Sequence, residues 1–369
     1  MTNKKFLTIF DCGFSRIRAG TFNLENKDKT FFIESNFISD SSNLKLEIQK
    51  IITSLERNTN EYIDNIDLMV DSTKMLSIGI SISKKIEESK LRQDNILFMV
   101  QEAKQLILKH YSKHTVAHII INNYKIDNID YSDLPDEIEC KFISLDIIFI
   151  CLPSELIVNL KNIFSESNIL VNQVICSSYA KSMNYKNDLN LTGEVSFIDI
   201  GFKKTSILSY IDDRFISLDV LPVGGNHITK DISLILKIDL NQAEQLKLNF
   251  DKTNKHLNNE NFSIEMIQKI AFARTEEILE LCTKSLESNA QMLGHFKMIL
   301  MGEGSKILDN KFKDMISFSR DIDFLEETFK DVCNSGFKLR AGPNKQEVVV
   351  VPKKLLKQGF FEKLFHFFR

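Results

Sequence analysis

Two Asp-x-Gly turns, each between two apolar strand-like runs, carry the residue types best suited to phosphate and metal chemistry. They are Asp11 to Gly13 in "FLTIFDCGFSRIRAG" and Asp199 to Gly201 in "EVSFIDIGFKKTSIL". Glycine lets a backbone approach a phosphate closely, and an aspartate carboxylate can hold a hydrated Mg²⁺. One such turn is a weak signal, because hairpins often contain it. Two turns in matching positions predict a duplicated domain whose hairpins face a shared cleft.

The elements around the two turns repeat the same order. Residues 5–38 alternate apolar and polar side chains with short breaks, which predicts a β-meander, and residues 193–222 show the same strand, turn, strand, strand pattern. Apolar residues at helical spacing over 43–60 and 90–111 predict helices between the strands. At 369 residues the chain is too long for one compact unit. The sequence therefore predicts an α/β protein of two domains.

Composition disfavours a polyanionic partner. The chain has 47 basic and 50 acidic residues and a net charge of −3, so no bulk field attracts nucleic acid and no nucleic-acid partner is predicted. No apolar run is long enough to span a bilayer or to form a secretory signal, which predicts a cytoplasmic protein. Most of the cysteines lie in apolar runs, and none has C-x-x-C spacing, which predicts buried thiols: Cys12, Cys140, Cys151, Cys176, Cys282 and Cys333.

The last eleven residues, "GFFEKLFHFFR", predict an amphipathic helix over 359–369. At 100° per residue its large apolar side chains fall on one arc of roughly 160°. A basic flank upstream suits anionic lipid headgroups. A helix docked on the protein's own core, or in the groove of a partner, gives the same pattern. The predicted membrane-binding residues are Lys353, Lys354, Lys357, Phe360, Phe361, Leu364, Phe365, Phe367 and Phe368.

The motifs resemble those of the actin-like ATPase superfamily. "FDCGFSRIRAG" is similar to its first phosphate loop, "IDIGFKKTSI" to its second and "ILMGEGSKI" to its adenosine loop, while "AEQLKLNF" resembles a Glu-x-x-Lys segment beside the adenosine. The resemblance implies ATP and Mg²⁺ as cofactors, with the magnesium near Asp11 and Asp199. The nucleotide-binding residues it implies are Asp11, Gly13, Ser15, Asp199, Gly201, Lys203, Lys204, Thr205, Glu244, Lys247, Gly302 and Gly304.

Within the superfamily the chain most resembles the bacterial cell-division family FtsA. "LPVGGNHITKDISLIL" is similar to a family segment, "FKLRAGPN" at 337–344 resembles its final strand, and the amphipathic tail lies where the family has its membrane anchor. The resemblance implies an actin-like fold, a duplicated ribonuclease H-like α/β architecture with one relocated subdomain. The expected parts are a first domain of 1–78 and 152–193 with 318–344 returning to it, the relocated subdomain 79–151, a second domain 194–317 with a smaller FtsZ-binding subdomain 237–293, a linker 345–358 and the helix 359–369.

The family resemblance also implies a function and partners. FtsA-like proteins polymerise on the inner face of the cytoplasmic membrane, tether the tail of FtsZ and recruit later division proteins. The segment "ARTEEILEL" resembles the helix that docks FtsZ, so Arg274 and Glu277 are the expected contacts, although an ordinary solvated pair has the same spacing. The partners implied are the FtsZ C-terminal tail, further copies of the chain, anionic lipid and later division proteins.

The second phosphate loop departs from the family pattern, because Phe202 and Lys203 stand where glycines are usual. Glu303 lies in the adenosine loop, and Phe14 replaces a small hydroxyl residue in the first loop. Either the lysines supply charge to phosphates, or the site has decayed and the fold persists as a scaffold. No general base can be assigned, so we expect weak or absent ATPase activity. A pilus-assembly protein of the PilM kind and an active ATPase or kinase are the alternatives.

Overall fold

The structure is a computed structural model that describes residues 5–26, 29–36, 41–86, 91, 93–135, 138–248, 263–288, 296–308, 312, 314 and 321–341. The strands are β1 (Phe6–Cys12), β2 (Arg16–Asn23), β3 (Thr30–Asn36), β4 (Asn65–Val70), β5 (Leu76–Lys85), β6 (His114–Ile126), β7 (Ile129–Tyr131), β8 (Phe142–Pro153), β9 (Leu170–Cys176), β10 (Glu194–Ile200), β11 (Thr205–Ile211), β12 (Arg214–Leu221), β13 (Lys297–Met301) and β14 (Ile322–Phe324). The helices are α1 (Ser41–Thr59), α2 (Gln93–His110), α3 (Ser154–Ser165), α4 (Ser177–Asp188), α5 (Gly225–Leu236), α6 (Leu240–Leu248), α7 (Ile264–Ser288) and α8 (Phe329–Ala341).

Two five-stranded sheets in the described part of the chain share one topology. The first has the order β3-β2-β1-β4-β9 and the second the order β12-β11-β10-β13-β14. In each, three antiparallel strands are followed by two strands that pair in parallel. The central strands β1 and β10 are buried along most of their length, as expected for strands covered on both faces. The predicted duplicated α/β fold is confirmed.

A third, antiparallel sheet has the order β5-β8-β6-β7 and spans Leu76 to Pro153, around the segment 79–151 that was expected as one subdomain. Helix α2 covers it, because one stripe of that helix is apolar. Met99, Val100 and Ala103 on this stripe are fully buried. The helix and the sheet form one hydrophobic cluster, separate from those of the other two sheets.

The last described segment divides between the two large sheets. Strand β14 pairs with β13 in the second sheet, whereas α8 packs on β1 and β2 of the first, although all of 318–344 was expected to return to the first domain. The prediction of a strand at 337–344 is wrong for 337–341, which belong to α8. Val332, Cys333 and Gly336 recur at three- and four-residue spacing, so one helix face meets the sheet.

The burial of the cysteines agrees with the sequence, whereas the C-terminal segments lie outside the described residues. All six cysteines are buried and free, as predicted. In the described residues no helix is long and apolar enough to cross a bilayer. The linker 345–358 and the amphipathic segment 359–369, including its proposed lipid-binding lysines and phenylalanines, lie outside the described residues.

Candidate functional site

The two Asp-x-Gly hairpins close with the same hydrogen bond. The Gly13 amide donates to the Arg16 carbonyl at 2.9 Å, and the Gly201 amide donates to the Lys204 carbonyl at 2.8 Å. Both hairpins lie at the cleft between the first and second sheets. The cavity there is lined by Asp11, Gly13, Phe14, Ser15, Arg16, Arg18, Asp71, Ser177, Lys181, Asp199, Gly201, Phe202, Lys204, Glu303 and Glu327.

The free space between the side chains of this cleft is small. The cavity volume is about 70 Å³. For comparison, a cavity of about 150 Å³ in another protein holds a benzene molecule. A nucleoside triphosphate therefore requires the side chains of this closed arrangement to move.

Asp11 is held by groups of the chain itself. Arg18 Nη1 donates to its Oδ2 at 2.9 Å, and Ser177 Oγ donates to its Oδ1 at 2.6 Å. Arg18 also reaches Glu303 at 2.8 Å and Glu34 at 3.0 Å. Burial opposes the charged form of Arg18, but these carboxylates outweigh it and raise the pKa of the guanidinium above its ordinary value.

Asp199, at the matching position of the second hairpin, is held in the same way. Lys181, on the buried helix α4, donates from Nζ to Asp199 Oδ1 at 2.8 Å and lies 3.4 Å from Glu327. Burial would lower the pKa of Lys181, but the two carboxylates reverse that effect and raise it. Glu327 accepts a hydrogen bond from the Tyr185 hydroxyl at 3.2 Å, and burial raises the pKa of Glu327.

Asp71 pairs with Lys204 of the second hairpin. The Lys204 Nζ lies 2.9 Å from Asp71 Oδ2, and the Ser178 amide donates to the same carboxylate at 3.2 Å. Burial raises the pKa of Asp71, but the adjacent Lys204 ammonium, together with Lys181 and the Cys176 thiol, more than compensates and lowers it. Lys204 therefore pairs with a carboxylate of the chain itself, although the sequence suggested that a lysine at this position could contact phosphate.

These contacts test whether a magnesium ion fits. Mg²⁺ requires near-octahedral oxygen ligands with spare negative charge. Both oxygens of Asp11 already accept hydrogen bonds, and Asp199 Oδ1 accepts one from an ammonium group. Among the described residues no cluster of three histidine, cysteine or acidic groups could hold a metal ion. The two aspartates do not fit a magnesium ion in this arrangement.

The loop after β13, which includes Gly302 and Glu303, contributes a carboxylate to the cleft. Glu303 accepts from Arg18, lies 3.3 Å from Arg16, and is 2.7 Å from Lys306. Burial raises the pKa of Glu303, but Arg18 and Arg16 lower it further than burial raises it. Gly302 precedes it with φ of +88°, a conformation that favours glycine.

The predicted Glu244–Lys247 pair forms but does not line the cavity. Lys247 Nζ donates to Glu244 at 2.7 Å, to the Thr229 hydroxyl at 2.8 Å and to the Gly225 carbonyl at 3.1 Å, all within the α5–α6 pair. The pair is buried, not solvated. Burial lowers the pKa of Lys247. These bonds join α6 to the start of α5.

Three other predicted residues have local structural roles. Lys203 lies 5.1 Å from the centre of the Phe14 ring, so the tips of the two hairpins touch through a cation–π contact. The Thr205 hydroxyl donates to the Val223 carbonyl at 2.8 Å and fixes the start of β11. A side chain on Gly304 would collide with Ile200, which explains a small residue there.

The structure thus brings six of the twelve predicted nucleotide-site residues to the cavity: Asp11, Gly13, Ser15, Asp199, Gly201 and Lys204. Lys203, Thr205, Glu244, Lys247, Gly302 and Gly304 are not among its lining residues. Sequence reasoning missed the ion-pairing residues Arg16, Arg18, Asp71, Lys181 and Glu327. Asp71 alone had a sequence signal, because it directly follows an apolar strand as residues of parallel-sheet sites do.

Arg274 and Glu277 are brought together on α7. Arg274 donates from Nε and Nη2 to Asp231 of α5 at 2.5 and 3.0 Å, and from Nη1 to Glu277 at 2.5 Å. The Asp231 hydrogen bonds raise the pKa of Arg274. The pair is therefore part of a three-residue network between two helices, at a partly exposed surface.

Comparisons with known proteins point to one family. The family model described as "Cell division protein FtsA" matches residues 196–306. The chain is 26% identical over 165 residues to cell division protein FtsA of Buchnera aphidicola subsp. Schizaphis graminum, covering 45% of this chain and 39% of the relative. It is 24% identical over 169 residues to cell division protein FtsA of Borreliella burgdorferi, covering 46% of this chain and 40% of the relative. The matches thus span well under half of these relatives.

Solved structures support the fold. A PilM-PilN type IV pilus biogenesis complex superposes with a TM-score of 0.62 at 13% identity, covering 87% of this chain and 88% of that one. MreB5 of Spiroplasma citri bound to ADP superposes with a TM-score of 0.51 at 12% identity, covering 91% and 96%. At such identities these likenesses show the fold alone. The family match and the curated relatives support a divergent FtsA-like protein, and the solved structures support its actin-like fold.

Proposed function

We propose that the protein is a cell-division adaptor, which assembles on the inner face of the bacterial cytoplasmic membrane and tethers FtsZ filaments there. The observation that carries the proposal is the FtsA family match over residues 196–306. It includes the second hairpin, helices α5 to α7 and the adenosine loop, so it covers the surface on which an FtsZ tail is expected. Recruitment of later division proteins is part of the same proposal.

The α5–α7 surface has properties suited to a peptide tail. Leu234 and Ile235 are 78% and 48% exposed, one helical turn after Asp231, and so share a face with the Asp231–Arg274 ion pair. Arginine is enriched in binding hot spots, and an exposed apolar patch rimmed by polar side chains is typical of an interaction site. We place the FtsZ C-terminal tail on this face, in contact with Leu234 and Arg274.

Binding of a synthetic FtsZ C-terminal peptide, followed by fluorescence anisotropy, tests this placement. Leu234→Ser and Arg274→Ala should each weaken binding about tenfold or more. The matched control is Lys269→Gln, which breaks only the exposed Lys269–Glu265 pair on the same helix and should leave affinity unchanged. Unaltered affinity in both test variants would reject the α5–α7 face as the site.

Attachment to anionic lipid is proposed for the tail, residues 359–369, with Lys353, Lys354 and Lys357 as its basic flank. One short amphipathic helix binds lipid weakly, and an array of linked helices binds strongly, so polymerisation would switch attachment on. Co-sedimentation with anionic liposomes should pellet the full chain and leave a chain truncated after Gln358 in solution. Equal pelleting of both would refute the anchor.

ATP with Mg²⁺ is the cofactor pair expected for the fold, and MreB5 of Spiroplasma citri is bound to ADP and to AMPPNP. Because the phosphate loops are altered and their carboxylates are internally paired, we propose that this chain binds ATP weakly or not at all and acts as a non-enzymatic scaffold. Phosphate release that depends on Asp11 and Asp199 would instead favour an active ATPase.

The PilM–PilN likeness keeps pilus assembly as the second candidate. It extends over most of the chain, but at 13% identity it concerns the fold alone. The curated sequence relatives are FtsA proteins, which favours division. Localisation of the fluorescently tagged chain at mid-cell rings would support division, and localisation at pilus bases would support the alternative.

A further inference from the structure

The two hairpins at the cleft carry cations at equivalent positions. Arg16 is the last residue of the turn that begins at Gly13, and Lys204 is the last residue of the turn that begins at Gly201. Since β1–β2 and β10–β11 occupy the same places in their sheets, the two side chains are related by the duplication. Each is thus available to reach across to the opposite half.

The carboxylates that these cations meet are equivalent as well. Strand β4 pairs in parallel with β1, and Met69 is the partner of Asp11. Asp71 lies two residues after Met69. Strand β13 pairs in parallel with β10, and Met301 is the partner of Asp199. Glu303 lies two residues after Met301. Both acids therefore stand at the carboxyl end of the strand beside the central hairpin, one in each half of the duplication.

The ion pairs cross the cleft reciprocally. Arg16 of the first half lies 3.3 Å from Glu303 of the second, and Lys204 of the second half lies 2.9 Å from Asp71 of the first. The four side chains are between 4% and 19% exposed. We call them the crossed ion pairs. Arg18–Glu303 and Lys181–Asp199 join the same two halves at 2.8 Å each.

We propose that the crossed ion pairs hold the cleft closed without a magnesium nucleotide, so that the chain's own cations and carboxylates replace the cofactor as the link between the two halves. The inference depends on no partner of the proposed function. It follows from the poor fit of magnesium described above. Among the described residues, the charged side chains that line the cavity are four cations and five carboxylates, a nearly balanced set.

The balanced ion pairs oppose the binding of a polyphosphate in the cleft. A triphosphate entering the closed cleft would have to displace Lys204 from Asp71, or Arg16 and Arg18 from Glu303, and would leave those carboxylates unpaired. Breaking a buried pair by removing one partner is strongly unfavourable, since the remaining charge is uncompensated. The same contacts that close the cleft thus oppose polyphosphate binding.

The experiment measures the separation of the two halves in the full chain. Spin labels at Leu46→Cys on α1 and Leu234→Cys on α5 use exposed positions, while the six native thiols are buried. Pulsed electron resonance should give a narrow distance distribution that excess Mg·ATP leaves unchanged. A distribution that shortens when Mg·ATP is added would overturn the proposal, because closure would then depend on nucleotide.

Charge variants give an independent test. Lys204→Gln and Glu303→Gln should each shift the distribution to longer distances, and the swap Lys204→Asp with Asp71→Lys should move it back towards the original. Lys297→Gln, which breaks an exposed pair with Asp323 in the second sheet, is the matched control and should leave the distance unchanged. Circular dichroism checks that each variant is folded. A folded Lys204→Gln, Glu303→Gln double variant with the original distance would refute the role of the crossed ion pairs.

Discussion

Gly302 lies directly against the carboxylate of Asp199. A Cβ atom added to Gly302 would stand 2.3 Å from Asp199 Oδ1 and 2.7 Å from the Ile200 carbonyl oxygen, and the residue has φ of +88°. A side chain here would therefore meet both a steric and a conformational cost. The loop after β13 needs glycine at position 302 to approach the second hairpin.

Gly302→Ala should destabilise the protein by about 2 kcal/mol or more, because the collision involves backbone and the φ angle is strained for alanine. Urea unfolding followed by circular dichroism measures the change. Gly79→Ala is the control, since a Cβ there meets no atom within 4 Å among the described residues. Equal stability of Gly302→Ala and the wild type would contradict the close packing of the loop against Asp199.

Lys181→Gln should destabilise the fold by about 3–5 kcal/mol, because it leaves Asp199 and Glu327 buried without their shared cation. Denaturant unfolding again provides the measurement. The control is Lys338→Gln, which breaks a pair with Asp188 whose side chains are 53% and 50% exposed, and which should cost at most about 1 kcal/mol. Similar losses in the two variants would show that Lys181 is not the counter-charge of the cleft.

The thiols should be unreactive in the folded protein. Burial raises the pKa of Cys151 and Cys282 to about 12 each, and the thiolate is the reactive form. A colorimetric thiol reagent should find no rapidly reacting cysteine in native protein and all six in denaturant. Leu234→Cys, at an exposed position, should add one rapidly reacting thiol as a positive control. A fast native thiol in the wild type would contradict the observed burial.

The hairpins and the duplication could be predicted from sequence because their determinants are local. Glycine at Gly13 and Gly201 specifies a turn, and alternating apolar residues specify the strands on either side. The two matching sheets follow from that repeated pattern. The Glu244–Lys247 contact was also predictable, since residues three apart on a helix are neighbours.

The ion-pair network could not be predicted in the same way. Arg18 and Glu303 are 285 positions apart, so no local spacing brings them together. Lys181 lies on a helix that is buried almost all round and gives no amphipathic signal for its orientation. The segment 337–341, where a strand was expected, is likewise positioned by a distant contact, since the ring of Phe337 stacks on that of Phe22 with centroids 4.3 Å apart.

Acid should weaken the Asp71–Lys204 pair in a defined pH range. Burial opposes the charged carboxylate, but Lys204 lowers the pKa of Asp71 below its ordinary value of 3.8, so the folded protein binds this proton less readily than the unfolded chain. The stability that the pair contributes is therefore present above about pH 4 and is lost as the pH falls below it.

Asp71→Asn removes this contribution, so the difference in unfolding free energy between wild type and variant should shrink as the pH is lowered from about 6 to about 3. Asp188→Asn, which breaks only an exposed pair with Lys338, should show a small difference throughout that range. A difference for Asp71→Asn that stays constant or grows towards low pH would mean that Lys204 does not stabilise the charged carboxylate, and that the cleft is held by packing alone.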